Sequence, residues 1–550
     1  MTRRRSGVLA VGFVLVGGIA VAVTAFLLRT PTPSTAAGAP RYVLETASAG
    51  ISHRYDGDAT FSVGGGVAVL DCNDDGLPDL YLAGGAGPAA LYRNDGSVGG
   101  PLRFSAVALP ETALDRVSGA YPIDIDGDGQ TDLAVLRAGE NVLLRGLGEC
   151  RFERSNEAFG LAGGSGHTTA FSATWEGAAT LPTLAFGQYL ELRADGTPTS
   201  DCASSTLLRP ASGTSYGAAV DLAPGYCTLS MLFSDWDRSG RRDLRVTNDR
   251  HYYADGMDQL WRMDPGQPPR LYTADDGWVA MQIFGMGIAS QDVTGDGYPE
   301  IYLTSQGDNK LQTLTTGPDR PTYRDIALRR GVIASQPFAG GDVLPSTAWH
   351  PEFQDVNNDG FLDLFVSKGN VSAQPDYAAR DPSNLFLGQP DGTFLEGADQ
   401  AGIVTFERGR GAAIVDFNLD GLLDLVVVNY GSDVMLWRNV GGGSAQEPAA
   451  MGHWAAVRLQ QDGPNRDAIG AWVETRVGDR ITQREITVGG GHAGGQLGWL
   501  HLGLGPAASA DIRVRWPDGE LGAWVRVDAS TFAIIERGAT QARRWLPGGS

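Results

Sequence analysis

The sequence predicts an all-β protein, a seven-bladed β-propeller followed by a small antiparallel β domain. Three observations predict it. A nine-residue acidic phrase recurs six times, its copies keep a nearly regular spacing, and short apolar runs bounded by turn residues flank each copy. The phrase has an acid at position one, oxygen side chains at three and five, Gly at six and an acid at nine. Its copies begin at residues 71, 124, 235, 292, 355 and 416, in steps of 53, 111, 57, 63 and 61. The 111-residue step is about twice the others and implies a hidden unit near residues 170–190, where Glu176 is the only acid. Seven units of similar length predict a radial or linear repeat architecture.

Within a unit, small Gly-rich segments such as Gly64-Gly-Gly-Val-Ala-Val-Leu precede the phrase. An apolar run such as Leu133-Ala-Val-Leu or Leu425-Val-Val-Val follows it. A further strand ending in a turn comes next, as in Ala90-Leu-Tyr-Arg-Asn-Asp-Gly. Pro stands inside several of the loops where a helix–loop–helix calcium site would begin its second helix, so the units read as strands. Four short strands per unit make a propeller blade.

The phrase is hard-cation chemistry. Alternating short oxygen side chains let one loop wrap Ca2+, and Gly at six supplies the sharp turn. The candidate ligands are Asp71, Asn73, Asp75 and Asp79; Asp124, Asp126, Asp128 and Asp132; and Asp235, Asp237, Ser239 and Asp243. The later copies supply Asp292, Thr294, Asp296 and Glu300; Asp355, Asn357, Asp359 and Asp363; and Asp416, Asn418, Asp420 and Asp424. The backbone carbonyl at seven adds a ligand. The competing reading is a network of Asx turns without metal. Three or four carboxylates within coordination distance repel one another unless a cation or protons join them. Oxygen ligands without His or Cys favour Ca2+ over Zn2+ or copper. Up to six structural Ca2+ ions are expected, because a design repeated in unit after unit and supplied locally by each loop belongs to the framework rather than to one reaction.

The phrase and its strands resemble the FG-GAP/VCBS repeat of integrin-α-type propellers. The C-terminal region carries Asn465-Arg-Asp-Ala-Ile-Gly-Ala, Gln483-Arg-Glu-Ile, Gly489-Gly-Gly-His-Ala-Gly-Gly-Gln, Leu502-Gly-Leu-Gly and Arg515-Trp-Pro-Asp-Gly. That series resembles the ASPIC/UnbV domain, and the two together resemble the layout of the cartilage acidic protein family. The acid-free unit around Trp175 departs from the pattern, as does His492, where an aromatic, usually Tyr, is expected.

The tail itself reads as alternating strands over residues 454–459, 471–477, 512–516 and 523–527, a half-buried antiparallel sheet. Asn465, Arg466 and Asp467 form either a surface recognition spot or a hydrogen-bonded loop that holds the sheet.

At 550 residues the chain is too long for one core. The boundaries expected are an N-terminal segment over 1–29, a Pro/Thr/Ala linker over 30–45, the propeller over 46–446, the β domain over 450–540 and a tail over 541–550. Formal charge is −21, and 19 of the acids sit at ligand positions, so filling six loops with divalent ions would leave about −9. Acidity is thus written into the loops. No basic patch is present, which excludes nucleic acid as the expected partner.

Arg3, Arg4 and Arg5 precede an uncharged run over residues 8–28, long enough to span a bilayer. It reads as an uncleaved anchor or a cleaved signal, with the N-terminus cytoplasmic and the bulk of the protein exported. Four cysteines fit an oxidising compartment. Cys202 and Cys227 are the first candidate pair and Cys72 and Cys150 the second by elimination, while three connectivities and free thiols stay open.

The expected function is an exported, membrane-tethered calcium-binding propeller that serves extracellular binding, adhesion or scaffolding toward a protein or glycan at the cell surface. The alternative is an extracytoplasmic enzyme, a hydrolase or metal-dependent oxidase, that uses the propeller's central funnel. The seven His carry no HxH or HExxH spacing, no GxSxG elbow exists, and residues 491–495 contain no phosphate-loop Lys. No catalytic residue is assigned.

Overall fold

A computed structural model describes residues 37–249, 255–333, 346–371 and 381–547. Seven four-stranded antiparallel sheets follow one another along the chain, the first taking a fifth strand from the tail, the third interrupted by two short hairpins and the seventh completed by a strand that precedes the first. The innermost strands are Val67–Leu70, Val117–Ile123, Thr168–Thr174, Thr228–Ser234, Gly285–Gln291, Ala348–Gln354 and Gly409–Val415. They are rich in Gly, Ala, Ser, Thr and Val, and nearly every position in them is buried. Small and β-branched residues suit strands that crowd around an axis and are covered on both faces. The seventh inner strand closes the ring on the first, the Gly411 amide donating to the Gly65 carbonyl at 3.0 Å.

Each acidic phrase is the hairpin between the first and second strands of a blade. Its ninth residue opens the second strand and pairs with the residue just before position one, as in Leu70↔Asp79, Ile123↔Asp132, Ser234↔Asp243, Gln291↔Glu300, Gln354↔Asp363 and Val415↔Asp424. The third blade has the same register, Thr174↔Thr183. Residues 175–183 therefore fill the nine positions with Trp175 at one, Ala179 at five and Thr183 at nine. The hidden unit is a full blade whose loop carries Glu176 alone, held by Thr183 Oγ1 and Arg209 Nε, each at 2.8 Å.

Two boundaries differ from expectation. Tyr42–Leu44 lies inside the expected linker but is the outer strand of the seventh blade, paired with Met435–Asn439. Three strands from the last repeat, residues 409–439, and one from before the first repeat complete that blade, so the ring is fastened at its own seam. Arg543–Trp545 lies beyond the expected end of the β domain, yet it pairs with Thr531–Glu536. It is held there because the Trp545 ring packs 5.1 Å from Trp499 and 5.6 Å from Phe532. The segment over 1–29 lies outside the described residues; among those described, no helix is long and apolar enough to cross a membrane.

The tail folds as two four-stranded sheets around a core that includes Val457, Val473, Ile512, Trp516 and Ile535. The strands expected at 454–459, 471–477, 512–516 and 523–527 appear as His453–Gln460, Trp472–Val477, Ser509–Arg515 and Val525–Asp528. One pairing is not antiparallel: His453–Gln460 runs parallel to Thr531–Glu536. Disulfides join Cys72 to Cys150 and Cys202 to Cys227. The first links the loop of blade one to blade two; the second fastens a hairpin inserted in blade three.

Candidate metal centres

The six loops share one backbone. Position four is left-handed in all of them, at Asp74, Gly127, Arg238, Gly295, Asn358 and Leu419, and so is the Gly at six. A left-handed Arg or Leu costs roughly 1 kcal/mol, which marks the loop shape as imposed by the turn rather than by residue preference. The amide of Gly at six donates to the carboxylate at one in every copy, from 2.7 Å at Asp355 and Asp416 to 3.1 Å at Asp292.

Position nine is a buried clamp. In the Asp124 loop, Asp132 accepts from the Ile125 amide at 2.8 Å with one oxygen and from the Gly146 amide at 2.7 Å with the other. Asp79, Asp363 and Asp424 repeat this arrangement. Glu300 takes the Val293 amide and the Thr313 hydroxyl, and Asp243 takes the Met263 amide and the Trp236 indole. Each such carboxylate ties the loop to the strands behind it before any cation is considered.

Positions one, three and five leave oxygens over. Asp71 Oδ1, Asn73 Oδ1 and Asn418 Oδ1 are buried without a hydrogen-bond partner. Asp124, Asp126 and Asp128 each place a carboxylate oxygen within 4.8 Å of the others. Burial, reinforced by neighbouring carboxylates, raises their pKa values: Asp71, Asp235 and Asp292 to about 6, Asp124 to about 7, and Asp355 and Asp416 well above the carboxylate range. The donor set, all oxygen and largely anionic, fits a hard divalent cation.

Two loops carry their own cationic side chain. Arg145 reaches Asp126 at 2.8 Å and Asp128 at 3.0 Å. Arg241 reaches Asp243 at 2.8 Å and Asp237 at 3.3 Å from within its own loop. Arg145 is partly exposed and lies outside the phrase; Arg241 is more enclosed and is wedged among the ligands themselves.

The acidic face is not free. The tail domain sits on it and uses the Gly at six as a seat. A Cβ on Gly76 would lie 2.2 Å from the Trp545 ring, on Gly421 1.8 Å from Trp454, and on Gly360 2.3 Å from Arg480. His501 Nε2 meets Asn358 Oδ1 at 2.6 Å, Arg242 donates to the Gly470 carbonyl at 2.7 Å, and Glu485 accepts from the Asp235 amide at 3.0 Å. Sequence reasoning missed these partners, although the repeated Gly at six was visible.

The funnel is occupied as well. Residues 488–496 of the tail run down the ring's axis and hydrogen-bond to one inner strand after another. Val488 O accepts from the Ala173 amide at 3.1 Å, Gly490 N donates to Met231 O at 2.7 Å, and Gly491 N to Ile288 O at 2.7 Å. Ala493 O accepts from Ala120 N at 3.1 Å, and Gly495–Gln496 pairs in parallel with Val67–Leu70. His492 is fully buried. Its amide donates to His350 Nδ1 at 3.1 Å, and its ring stands edge-on to Trp349 with centroids 4.9 Å apart. His350 thus keeps its proton on Nε2, 3.4 Å from Glu352. Asn465 closes its own turn through both amide atoms onto Ile469, at 2.8 and 2.9 Å, which is the loop-holding role.

Fold and loops together define an acidic-loop repeat propeller bearing a second, β-rich domain. Residues 71–172 and 355–427 match the FG-GAP-like repeat family, and residues 461–542 match ASPIC and UnbV, so the chain is an FG-GAP-repeat protein with a C-terminal ASPIC/UnbV domain. It is similar to Cartilage acidic protein 1 of Mus musculus, at 26% identity over 44% of this chain and 37% of that protein. It is also similar to the Homo sapiens protein, at 24% over 37% and 30%. The match thus spans about a third of these relatives. Among solved structures it is similar to PorZ of Porphyromonas gingivalis, at TM-score 0.40 and 11% identity over 88% of this chain and 60% of that one. The Dos1 propeller is similar at 0.37 and 11%, over 69% and 78%.

Proposed function

We propose that this protein is an exported, calcium-stabilised propeller that acts as a binding or scaffold module outside the cytoplasm, secreted or held at a membrane by its N-terminal segment. The observation that carries the calcium reading is the set of buried, unpartnered oxygens at positions one and three, Asp71 Oδ1, Asn73 Oδ1 and Asn418 Oδ1. Left so, each costs about 1–3 kcal/mol; a divalent ion would satisfy them and neutralise the carboxylates beside them. Calcium is plentiful outside cells, and two disulfides accord with the same location.

The acidic loops lie under the tail, so the surface offered to a protein or glycan is the opposite face. There, among the described residues, the disulfide-fastened hairpin of Leu190–Leu192 and Pro198–Cys202 is displayed. A funnel chemistry would have to work around residues 488–496, and His350 spends its acceptor nitrogen on the His492 amide.

Chelation is expected to lower the melting temperature well beyond an ionic-strength control, since ligand binding to the folded state alone adds to its stability. An unchanged melt would remove calcium from the proposal. Capture of surface components by the full chain, with and without calcium, tests the binding role.

A further inference from the structure

We infer that the cavity between the propeller's inner strands and the tail binds a small zwitterion, an α-amino acid with a short apolar side chain. The inference goes beyond the calcium reading and does not depend on it. The cavity has a volume of about 190 Å3, and its walls come from inner strands of the ring and from residues 484–500 of the tail. It reaches the surface at Gly498, which is exposed and where an added Cβ would meet nothing within 4 Å.

Two opposite charges line this space without pairing with each other. Arg484 donates from Nη1 to Gln354 Oε1 at 3.0 Å, and its other nitrogens find no acceptor and no ion pair among the described residues. Burial lowers its pKa, yet a guanidinium keeps its proton, so the charge stays and calls for an anion. Glu352 is engaged by Gln354 Nε2 at 2.8 Å, Gln496 Nε2 at 2.7 Å, the Ile414 amide at 3.1 Å and His350 Nε2 at 3.4 Å. Glu485, on the same wall, is raised to about 8 by burial and accepts from Ser234 and the Asp235 amide, so near neutral pH it adds no charge.

Those bonds fix which way the two amides point. Each gives its Nε2 to Glu352 and turns its oxygen elsewhere. The Gln354 oxygen takes Arg484, while the Gln496 oxygen is buried with no partner. The cavity therefore presents unmet donors at Arg484 and an unmet acceptor at Gln496, beside the Glu352 carboxylate. An α-carboxylate meets the guanidinium through paired N–H···O bonds, and an α-ammonium meets Gln496 and Glu352. Arg484 and Glu352 cancel, so a zwitterion adds no net charge, whereas a lone anion or cation would. Leu232 and Ile288 on the wall suit a short apolar side chain. His350 spends both ring nitrogens, on the His492 amide and on Glu352, so the site binds and does not catalyse.

Calorimetric titration and melts of the full chain with alanine and valine test the assignment. Isovalerate and isobutylamine supply the valine skeleton without its amine and without its carboxylate. Both amino acids are expected to bind and raise the melting temperature, and each analogue to bind at least about tenfold more weakly than valine. Arg484→Gln should weaken valine at least about tenfold and leave the ligand-free melt unchanged or higher, since a desolvated charge has gone. Gln496→Leu should weaken valine but not isovalerate, a difference that a merely structural Gln496 would not produce. Wild type that binds neither amino acid overturns the assignment, as does isovalerate or isobutylamine binding as tightly as valine. Valine binding unaltered by Arg484→Gln overturns it too. Should that variant fail to fold, Arg484→Lys, which keeps the charge and loses the planar fork, carries the same tenfold expectation.

Discussion

Asp132 and Asp128 stand four residues apart in one loop, and the structure gives them different work. Asp132 accepts two buried backbone amides, so Asp132→Ala strands both and should cost about 2–4 kcal/mol, in chelator as well as in calcium. Asp128 meets only the Gln130 amide and the Arg145 guanidinium near the surface. Asp128→Ala should therefore be within about 1 kcal/mol of wild type in chelator and lose stability only when calcium is present. Paired denaturant melts of the two variants check this; equal losses in both conditions for both would mean that the loop does not divide into clamp and ligands. The nine-residue phrase marks all its acids alike. Only the register, which makes position nine the first residue of a strand, separates them.

At the scale of the element, the blades were legible and the plug was not. Six copies of one local chemistry announce themselves by spacing, and even the third blade betrayed itself as a gap of double length. The strand Tyr42–Leu44 gave no such sign, because three residues after a Pro-rich stretch carry no period of their own. Residues 489–495 read only as a Gly-rich run, yet they bond to partners far off in sequence, such as the His492 ring, 3.2 Å from the Gly64 carbonyl. Glycine is there because backbone packs on backbone along the axis: a Cβ at Gly119 would stand 1.8 Å from the Ala493 carbonyl oxygen. Gly119→Ala should therefore push the plug off its seat and destabilise the protein by about 1–3 kcal/mol. Limited proteolysis is expected to open new cuts between residues 486 and 498, while a digestion pattern like that of wild type would show that the axis has slack.

Across the whole molecule, the loops and the tail make stability a function of pH, and on the calcium proposal the two conditions should act together. Burial raises Asp79 and Glu485 to about 8 and Asp124 and Glu300 to about 7, and it raises Asp132, Asp355, Asp363, Asp416 and Asp424 well above the usual carboxylate range. A carboxyl that holds its proton in the folded state and has lost it in the unfolded chain stabilises the fold at low pH, and that contribution disappears as pH rises through the folded value. Buried His residues act in the opposite sense. His167, at about 4, and His492 and His501, at about 3, must stay neutral, so they contribute stability above about 6.5 that is lost as pH falls. Below pH 6.5 the two effects oppose each other, and between 6.5 and 8 the carboxyls act alone. In chelator the melting temperature should therefore fall across that window, with each carboxyl still protonated contributing a slope of about 1.4 kcal/mol per pH unit. In calcium the slope should flatten or reverse, because the ion replaces the protons and binds more tightly as they leave. Melts at several pH values with and without calcium decide the matter. A chelated protein that grows more stable from pH 6.5 to 8 would mean that the crowded loop carboxylates are neutralised by side chains such as Arg145 and Arg241, and that the cation has little left to do.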